Sequence, residues 1–417
     1  MKQRPWLLYC GIAVAAVLLL YARTLSYSLY WDDFDDLRPW TWADLWSAFR
    51  GHYQPWVAGG YYFYRPLASL YFAAATALFG LDAARLHLIP LVTLTIAATL
   101  TGVFVARETR SVGAAALATA VYLSHPLTAT AIGPWIANQY QGLLVIAALV
   151  ALIEWRRQAE ASGGLTWTLG LALVAAAWLK DDGIAVGPAI LLMHLARARW
   201  TRDVPAPSRA MITGLITLAA VLVLWRACWL PEQLGYGVLA ASQLAANLTR
   251  AWRYALLWHV GAAPLADAIT LVKGAILIGA IGITFRRRPA APLIVTGGAL
   301  LAVMNLPLAF ASSENRWHVV GLCAVLITTG ALLHLPPRRR WLAAVIVVGA
   351  FSAGSWERTS AFAPCSADTL AHNQWALSLP DLPVELRAWI GSRDAACASG
   401  RYDAFTVPMR DMRWGTR

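Results

Sequence analysis

Trp31-Asp32-Asp33-Phe34-Asp35-Asp36 sets four carboxylates within five positions, directly after the first long apolar run. A carboxylate is costly to hold beside aromatic rings at a bilayer surface, so such a cluster points to chemistry rather than to solubility. Asp32 and Asp33, flanked by Trp31 and Phe34, are candidate general bases, because a partly buried carboxylate can accept the proton of a hydroxyl nucleophile. A solvated acidic loop capping a surface helix gives the same pair. Asp35 and Asp36 fit that second role, facing water or starting the next helix.

Further polar groups stand at the ends of apolar runs. Arg65 lies in Tyr61-Tyr62-Phe63-Tyr64-Arg65-Pro66-Leu67. A guanidinium in such aromatic surroundings can hold two phosphate oxygens at lipid-headgroup depth, or simply snorkel to the interface. His125-Pro126 closes one run, as an ordinary terminus would. Lys180-Asp181-Asp182 joins two runs through a very short turn, either a charged hairpin kept out of lipid or a lysine aimed at a phosphate. Glu314-Asn315-Arg316-Trp317-His318 joins two later runs in the same way. Arg226 interrupts another run near its end, and Asn247-Leu248-Thr249 is a common sequon. Neither HExxH nor CxxC spacing occurs, and no Gly-rich phosphate loop precedes a helix, which argues against nucleotide-driven transport.

These groups are set in a chain of 417 residues that is 59% apolar and only 13% charged, against about 25% charged in soluble domains. It reads as an all-α polytopic membrane protein, whose 21 Trp and 14 Tyr suit the two water–lipid interfaces. The net charge of +12 falls in short clusters between apolar runs, a topology signal and not a nucleic-acid footprint. Apolar runs predict about 11 transmembrane helices, near 6–22, 86–106, 111–125, 137–153, 165–179, 184–198, 210–229, 268–285, 290–310, 318–335 and 341–356. Every second connection is basic: Lys2 and Arg4; Arg107 and Arg110; Arg156 and Arg157; Arg197 to Arg209; Arg286 to Arg288; Arg338 to Arg340. The positive-inside rule assigns these to the cytoplasm. The amino terminus is then cytoplasmic and uncleaved, since no small-x-small site follows the first run. The acidic cluster, Arg65, His125, Lys180-Asp181 and Arg316 all fall on the opposite face.

The long first outer loop, 23–85, is expected to carry two amphipathic surface helices. One runs near 41–50, with Thr41 as cap and Trp42, Leu45, Trp46 and Phe49 on one face. The other starts at Pro66, a favoured first helical position. Residues 1–356 form the transmembrane domain and 357–417 a small outer tail. Cys10, Cys228 and Cys323 lie in apolar runs and read as packing residues. Cys365 and Cys397, in the tail, are a plausible disulfide in an oxidising compartment.

With those residues in place the chain resembles membrane glycosyltransferases of the GT-C fold. The likeness is to the branch that includes protein O-mannosyltransferases, the aminoarabinose transferase of lipid A and TMTC-like bacterial proteins. Five landmarks occur in order across about 1–335: Trp31-Asp32-Asp33, Tyr64 to Leu67, His125-Pro126-Leu127 before Trp135-Ile136, Lys180-Asp181 where the family usually has Lys-Glu, and Arg316-Trp317. The resemblance implies a bacterial inner-membrane enzyme with its active site and C-terminus periplasmic. It implies a polyprenyl-phosphate-linked sugar donor, inversion at the anomeric carbon, and a protein, lipid or glycan acceptor. By that carry-over Asp32 or Asp33 is the base, while Tyr64, Arg65, Lys180, Asp181, His125, Arg316 and His318 surround the lipid phosphate. Where relatives carry a second acid in Gly-Arg-x-Asp, this chain reads Asn138-Gln139-Tyr140-Gln141, which puts a bound divalent metal in doubt. The rival readings are an O-antigen polymerase or ligase, which would use 230–267 with Arg250, Arg253 and His259; a lipid-linked sugar flippase; and a non-catalytic scaffold.

Overall fold

The computed structural model describes residues 5–27, 29, 36–37, 39–50, 64–80, 82–128, 136, 139–161, 165–229, 291–309, 318–360, 363, 365–378 and 384–399. Among these every regular element is helical, with no strand. In chain order they are α1 (Pro5–Tyr21), α2 (Trp42–Phe49), α3 (Pro66–Phe79), α4 (Ala83–Leu86), α5 (Leu88–Thr109), α6 (Val112–Ser124), α7 (Gln139–Ala161) and α8 (Trp167–Leu179). There follow α9 (Val186–Ala196), α10 (Arg209–Trp229), α11 (Ala291–Ala309), α12 (His318–His334), α13 (Pro337–Ser360), α14 (Ala367–Leu377) and α15 (Val384–Ala398). Helices thus occupy the apolar runs, while 268–285 lies outside the described residues.

Length divides these helices. Among the described residues, Trp6–Ser26 and Ala83–Thr109 are long and apolar enough to cross a bilayer, whereas Val112–Ser124, Trp167–Leu179 and Gly321–His334 are apolar but shorter. Local stops explain the short ones. α6 is bounded below by Arg110, in the left-handed region at φ 52°, and by the Ser111 cap, whose Oγ accepts from the Ala114 N–H at 3.2 Å. It is bounded above by His125-Pro126, because the residue before proline is driven out of helical geometry.

Three boundaries differ from the sequence expectation. α7 runs to Ala161 and carries Arg156 and Arg157 on the helix itself, with Arg157 bonded to Glu154 at 2.6 Å. The 184–198 run opens as a 3₁₀ turn (Asp181–Ala185), becomes α9, and ends in a wider π turn (Arg197–Thr201). α13 extends from Pro337 to Ser360, so Arg338 to Arg340 form its first turn. Each extension is carried by polar side chains bonding along the helix, which hydropathy alone does not register.

Tight approach holds the bundle. α5 packs on α1, α6 and α7, and α11 on α12 and α9. At Gly297 an added Cβ would come within 2.8 Å of the Cys323 carbonyl oxygen, so only glycine lets α11 and α12 meet there. The surface helices are present as well. Thr41 caps α2 in a full capping box with Asp44, and Phe49 meets Trp178 edge-on with ring centroids 6.0 Å apart.

Basic residues gather at one end of the bundle. Arg197, fully buried, pairs with Glu108 at 2.7 Å and with Asp203, while Arg156 reaches Glu108 at 3.4 Å. Trp155 donates from Nε1 to His194 Nδ1 at 2.9 Å, which leaves the His194 Nε2 proton for the Pro205 carbonyl, also at 2.9 Å. A guanidinium this deep is tolerated only because carboxylates face it. Arg197→Met therefore strands those carboxylates and should lower stability by about 3–5 kcal/mol. Thermal unfolding of the detergent-solubilised variant checks this, and an unchanged midpoint refutes it.

In the tail, α14 and α15 are bonded by Asn373 to Asp394 at 2.7 Å and joined by a Cys365–Cys397 disulfide with Cα atoms 5.2 Å apart. Closing a loop of 32 residues' separation stabilises the hairpin by roughly 3–4 kcal/mol in the chain-entropy model. Thiol titration of the denatured, unreduced protein should find Cys365 and Cys397 silent until reductant is added. Reactivity at both without reductant refutes the bond.

Candidate functional site

The candidate site is built where three separate helix ends meet. Arg65 occupies the cap position of α3; its carbonyl oxygen accepts from the Ser69 N–H at 3.0 Å, and Pro66 fixes the first turn behind it. Gln139, Tyr140 and Gln141 open α7. Lys180 closes α8, with Asp181 and Asp182 in the following 3₁₀ turn. These charge signs suit their positions, since a helix C-terminus favours a cation and a helix N-terminus favours carboxylates.

The side chains are in direct contact. Arg65 donates from Nε and Nη2 to Asp181 Oδ2, at 3.0 and 2.9 Å, and from Nη1 to the Tyr140 hydroxyl at 3.1 Å. Lys180 Nζ donates to Gln141 Oε1 and to Asp182 Oδ2, both at 3.2 Å. Arg65 is 2% exposed and Lys180 5%. Cations so deeply buried keep their charge only because carboxylates and neutral acceptors surround them. Asp182 has a second oxygen, Oδ1, that is buried without a hydrogen-bond partner among the described residues.

Gly183 makes the turn feasible. Its N–H donates to the Lys180 carbonyl at 2.9 Å, and a Cβ placed on it would lie 1.9 Å from the Ala176 carbonyl oxygen. The backbone of the charged turn is thus pressed onto the last turn of α8, which fixes where Lys180 and Asp181 stand.

Tyr64 lies beside this cluster. Its hydroxyl accepts from Trp225 Nε1 of α10 at 2.6 Å. Burial pushes the Tyr64 phenol above its usual pKa, a shift that the Trp225 bond opposes. His125 has different neighbours: its ring meets Phe351 edge-on at 4.7 Å, and its Nδ1 accepts from the Leu127 N–H at 3.2 Å. Beside it, Ser355 donates to the Ser124 carbonyl at 2.6 Å. From the end of α1, Arg23 stacks on the Trp356 ring at 3.4 Å.

Asp32, Asp33, Asp35, Asn138, Arg316 and the 230–267 segment with Arg250, Arg253 and His259 lie outside the described residues. So do Arg286 to Arg288 and the side chains of Arg226, Cys228 and His318. Beyond the acidic pair, Asp36 is 3% exposed and Leu37 fully buried. Asp36 therefore does not face water as expected. The apolar Leu37 draws the turn inward, and the Asp36 carbonyl accepts from Trp40 Nε1 at 3.2 Å.

The sequence did not single out Tyr140, Gln141, Asp182 or Trp225 as participants. Tyr140 and Gln141 registered only as a missing charge, although a phenol and an amide are natural acceptors for buried cations. Among the described residues no three His, Cys, Asp or Glu side chains come together as a metal site would need. Asp181 and Asp182, the carboxylates of this cluster, each face a cation.

Gly183→Ala should displace the 180–182 turn, lowering both the unfolding temperature and any binding that depends on Lys180. A Gly170→Ala control, on the same helix with nothing within 4 Å of the new Cβ, should change neither. Equal behaviour of the two variants would refute this role for Gly183.

No protein-family model and no curated protein matches this sequence. Among solved structures the chain is similar to ArnT from Cupriavidus metallidurans bound to undecaprenyl phosphate, at 16% identity and a TM-score of 0.48, over 95% of this chain and 70% of that one. It is also similar to the same protein in the apo state, at 15% identity and a TM-score of 0.40, over 95% of this chain and 71% of that one.

Proposed function

We propose that this chain is an integral-membrane glycosyltransferase that takes a sugar from a polyprenyl-phosphate donor on the outer face of the membrane. The observation that carries this is the meeting of Arg65, Lys180 and Asp181 with Tyr140 and Gln141 in one buried cluster. Positions far apart in the chain converge there, at the end of the bundle away from the arginine-rich connections. A guanidinium and an ammonium held side by side in low dielectric are suited to a phosphate leaving group.

The molecular surface supports a membrane setting. Leu19, Leu171, Leu224 and Ile346 are exposed along the helices. Exposed Trp167, Trp200 and Trp341 mark the arginine-rich end, and Trp42, Trp46 and Trp356 the other, as aromatic side chains do at the two faces of a bilayer. Buried charged side chains among the described residues sit at helix ends, as in Arg65, Lys180, Asp182 and Arg197. A flippase would place them near mid-membrane.

In the mechanism, an acceptor hydroxyl on a protein, lipid or glycan gives its proton to Asp32, with Asp33 beside it, while attacking the sugar carbon bonded to phosphate. The carbon–oxygen bond to phosphate breaks, the configuration inverts, and the lipid phosphate leaves as a stable anion without a general acid. Arg65 and Lys180 stabilise the charge growing on that oxygen. Their carboxylate partners hold the two cations in place before the donor arrives.

Purified protein is to be offered a panel of polyprenyl-phosphate sugars, with released lipid phosphate as the readout. Arg65→Ala and Lys180→Ala should each slow turnover by roughly 10²–10³, the usual cost of losing one stabilising group. Asp32→Asn should abolish turnover yet still bind lipid phosphate. Full activity in Asp32→Asn would remove the base assignment, and wild-type turnover in both cation variants would remove the phosphate site.

A further inference from the structure

On the transferase reading above, we infer that the crevice between α8, α9 and α10 receives the first isoprene units of the donor's hydrocarbon tail. It is narrow and half-open, with about 210 Å³ of space measured out to its mouth. Leu215, Leu218, Ala219 and Leu222 line one wall, at the helical spacing that puts them on one face of α10. Leu173, Ile184 and Gly187 line the other. The opposite face of α10 carries exposed Ile216, Val223 and Leu224, so the helix separates the crevice from its surroundings.

The occupant follows from what the crevice adjoins. Ile184 belongs to the same 3₁₀ turn as Asp181 and Asp182, and Gly187 lies in the first turn of α9 just beyond. Along α10, one turn past Leu222, Trp225 bonds to Tyr64, the neighbour of Arg65. Both walls therefore run from apolar side chains directly to the buried cations. A ligand that satisfies both regions has an anionic head continuous with a thin apolar chain, as a polyprenyl phosphate has. Gly187 keeps the passage open: a Cβ there would meet only Leu173 methyls, at 3.8 and 3.9 Å, so a small side chain fits and a larger one fills the crevice.

The test uses full-length protein in detergent and measures binding of undecaprenyl phosphate, dimethylallyl phosphate and dioleoyl phosphatidic acid. Gly187→Leu, and independently Ala219→Phe from the facing wall, should weaken undecaprenyl phosphate roughly tenfold, the equivalent of about two buried methylenes. Both should leave dimethylallyl phosphate unchanged, because its single isoprene unit stops short of the crevice. Gly170→Leu, in open space on α8, should change neither ligand. Unaltered long-chain binding in a monodisperse Gly187→Leu or Ala219→Phe protein overturns the crevice while leaving the phosphate site standing. Phosphatidic acid competing as well as undecaprenyl phosphate overturns it too, by assigning the space to bulk lipid. Wild-type protein that binds none of the three overturns both this inference and the transferase reading.

Discussion

The ion pair between Arg65 and Asp181, with Nη2 and Oδ2 2.9 Å apart and little solvent at either side chain, is what the rest of the site depends on. An isolated guanidinium in such surroundings would cost several kcal/mol, so its position is dictated by where a carboxylate and further acceptors can be brought. Asp181 comes from the end of α8 and Tyr140 from the start of α7, so satisfying one arginine ties three helices together. Lys180, one residue before Asp181, repeats the solution with Gln141 and Asp182. The result is a pair of cations fixed in place with their charges already balanced.

The same rule operates at the other end with a different outcome. Arg197 is enclosed by Glu108 and Asp203, Trp155 lies against it, and His194 is held between Trp155 and the Pro205 carbonyl. Nothing there combines a cationic pair with an adjoining apolar crevice. One buried charge cluster locks the helices and the other adjoins a passage that a lipid could enter. The difference lies in what stands next to the charges, not in the charges themselves.

Much of the helix pattern was legible because hydropathy and the 3.6-residue period act locally. Thr41 and Pro66 announced helix starts by their own backbone chemistry, and both begin helices as expected. Boundaries failed where side chains supply the helix with polar partners, as with Glu154 and Arg157 on α7 and the far end of α13. Asp36 was misread for a related reason: a carboxylate in an acidic run looks solvated until Leu37 beside it is seen to be buried.

The sequence by itself determined the helical class, the alternation of basic connections, and which charged residues were out of place in an apolar chain. Those are properties of single residues and short windows, set by transfer free energies that need no partner. Only the tertiary structure decided that Arg65 meets Asp181 and Tyr140, that Gln141 serves Lys180, and that Trp225 reaches Tyr64. Such pairings join positions many tens of residues apart. Their geometry comes from helix packing, where a glycine such as Gly183 or Gly297 fixes the approach of backbones, and no local pattern encodes that distance.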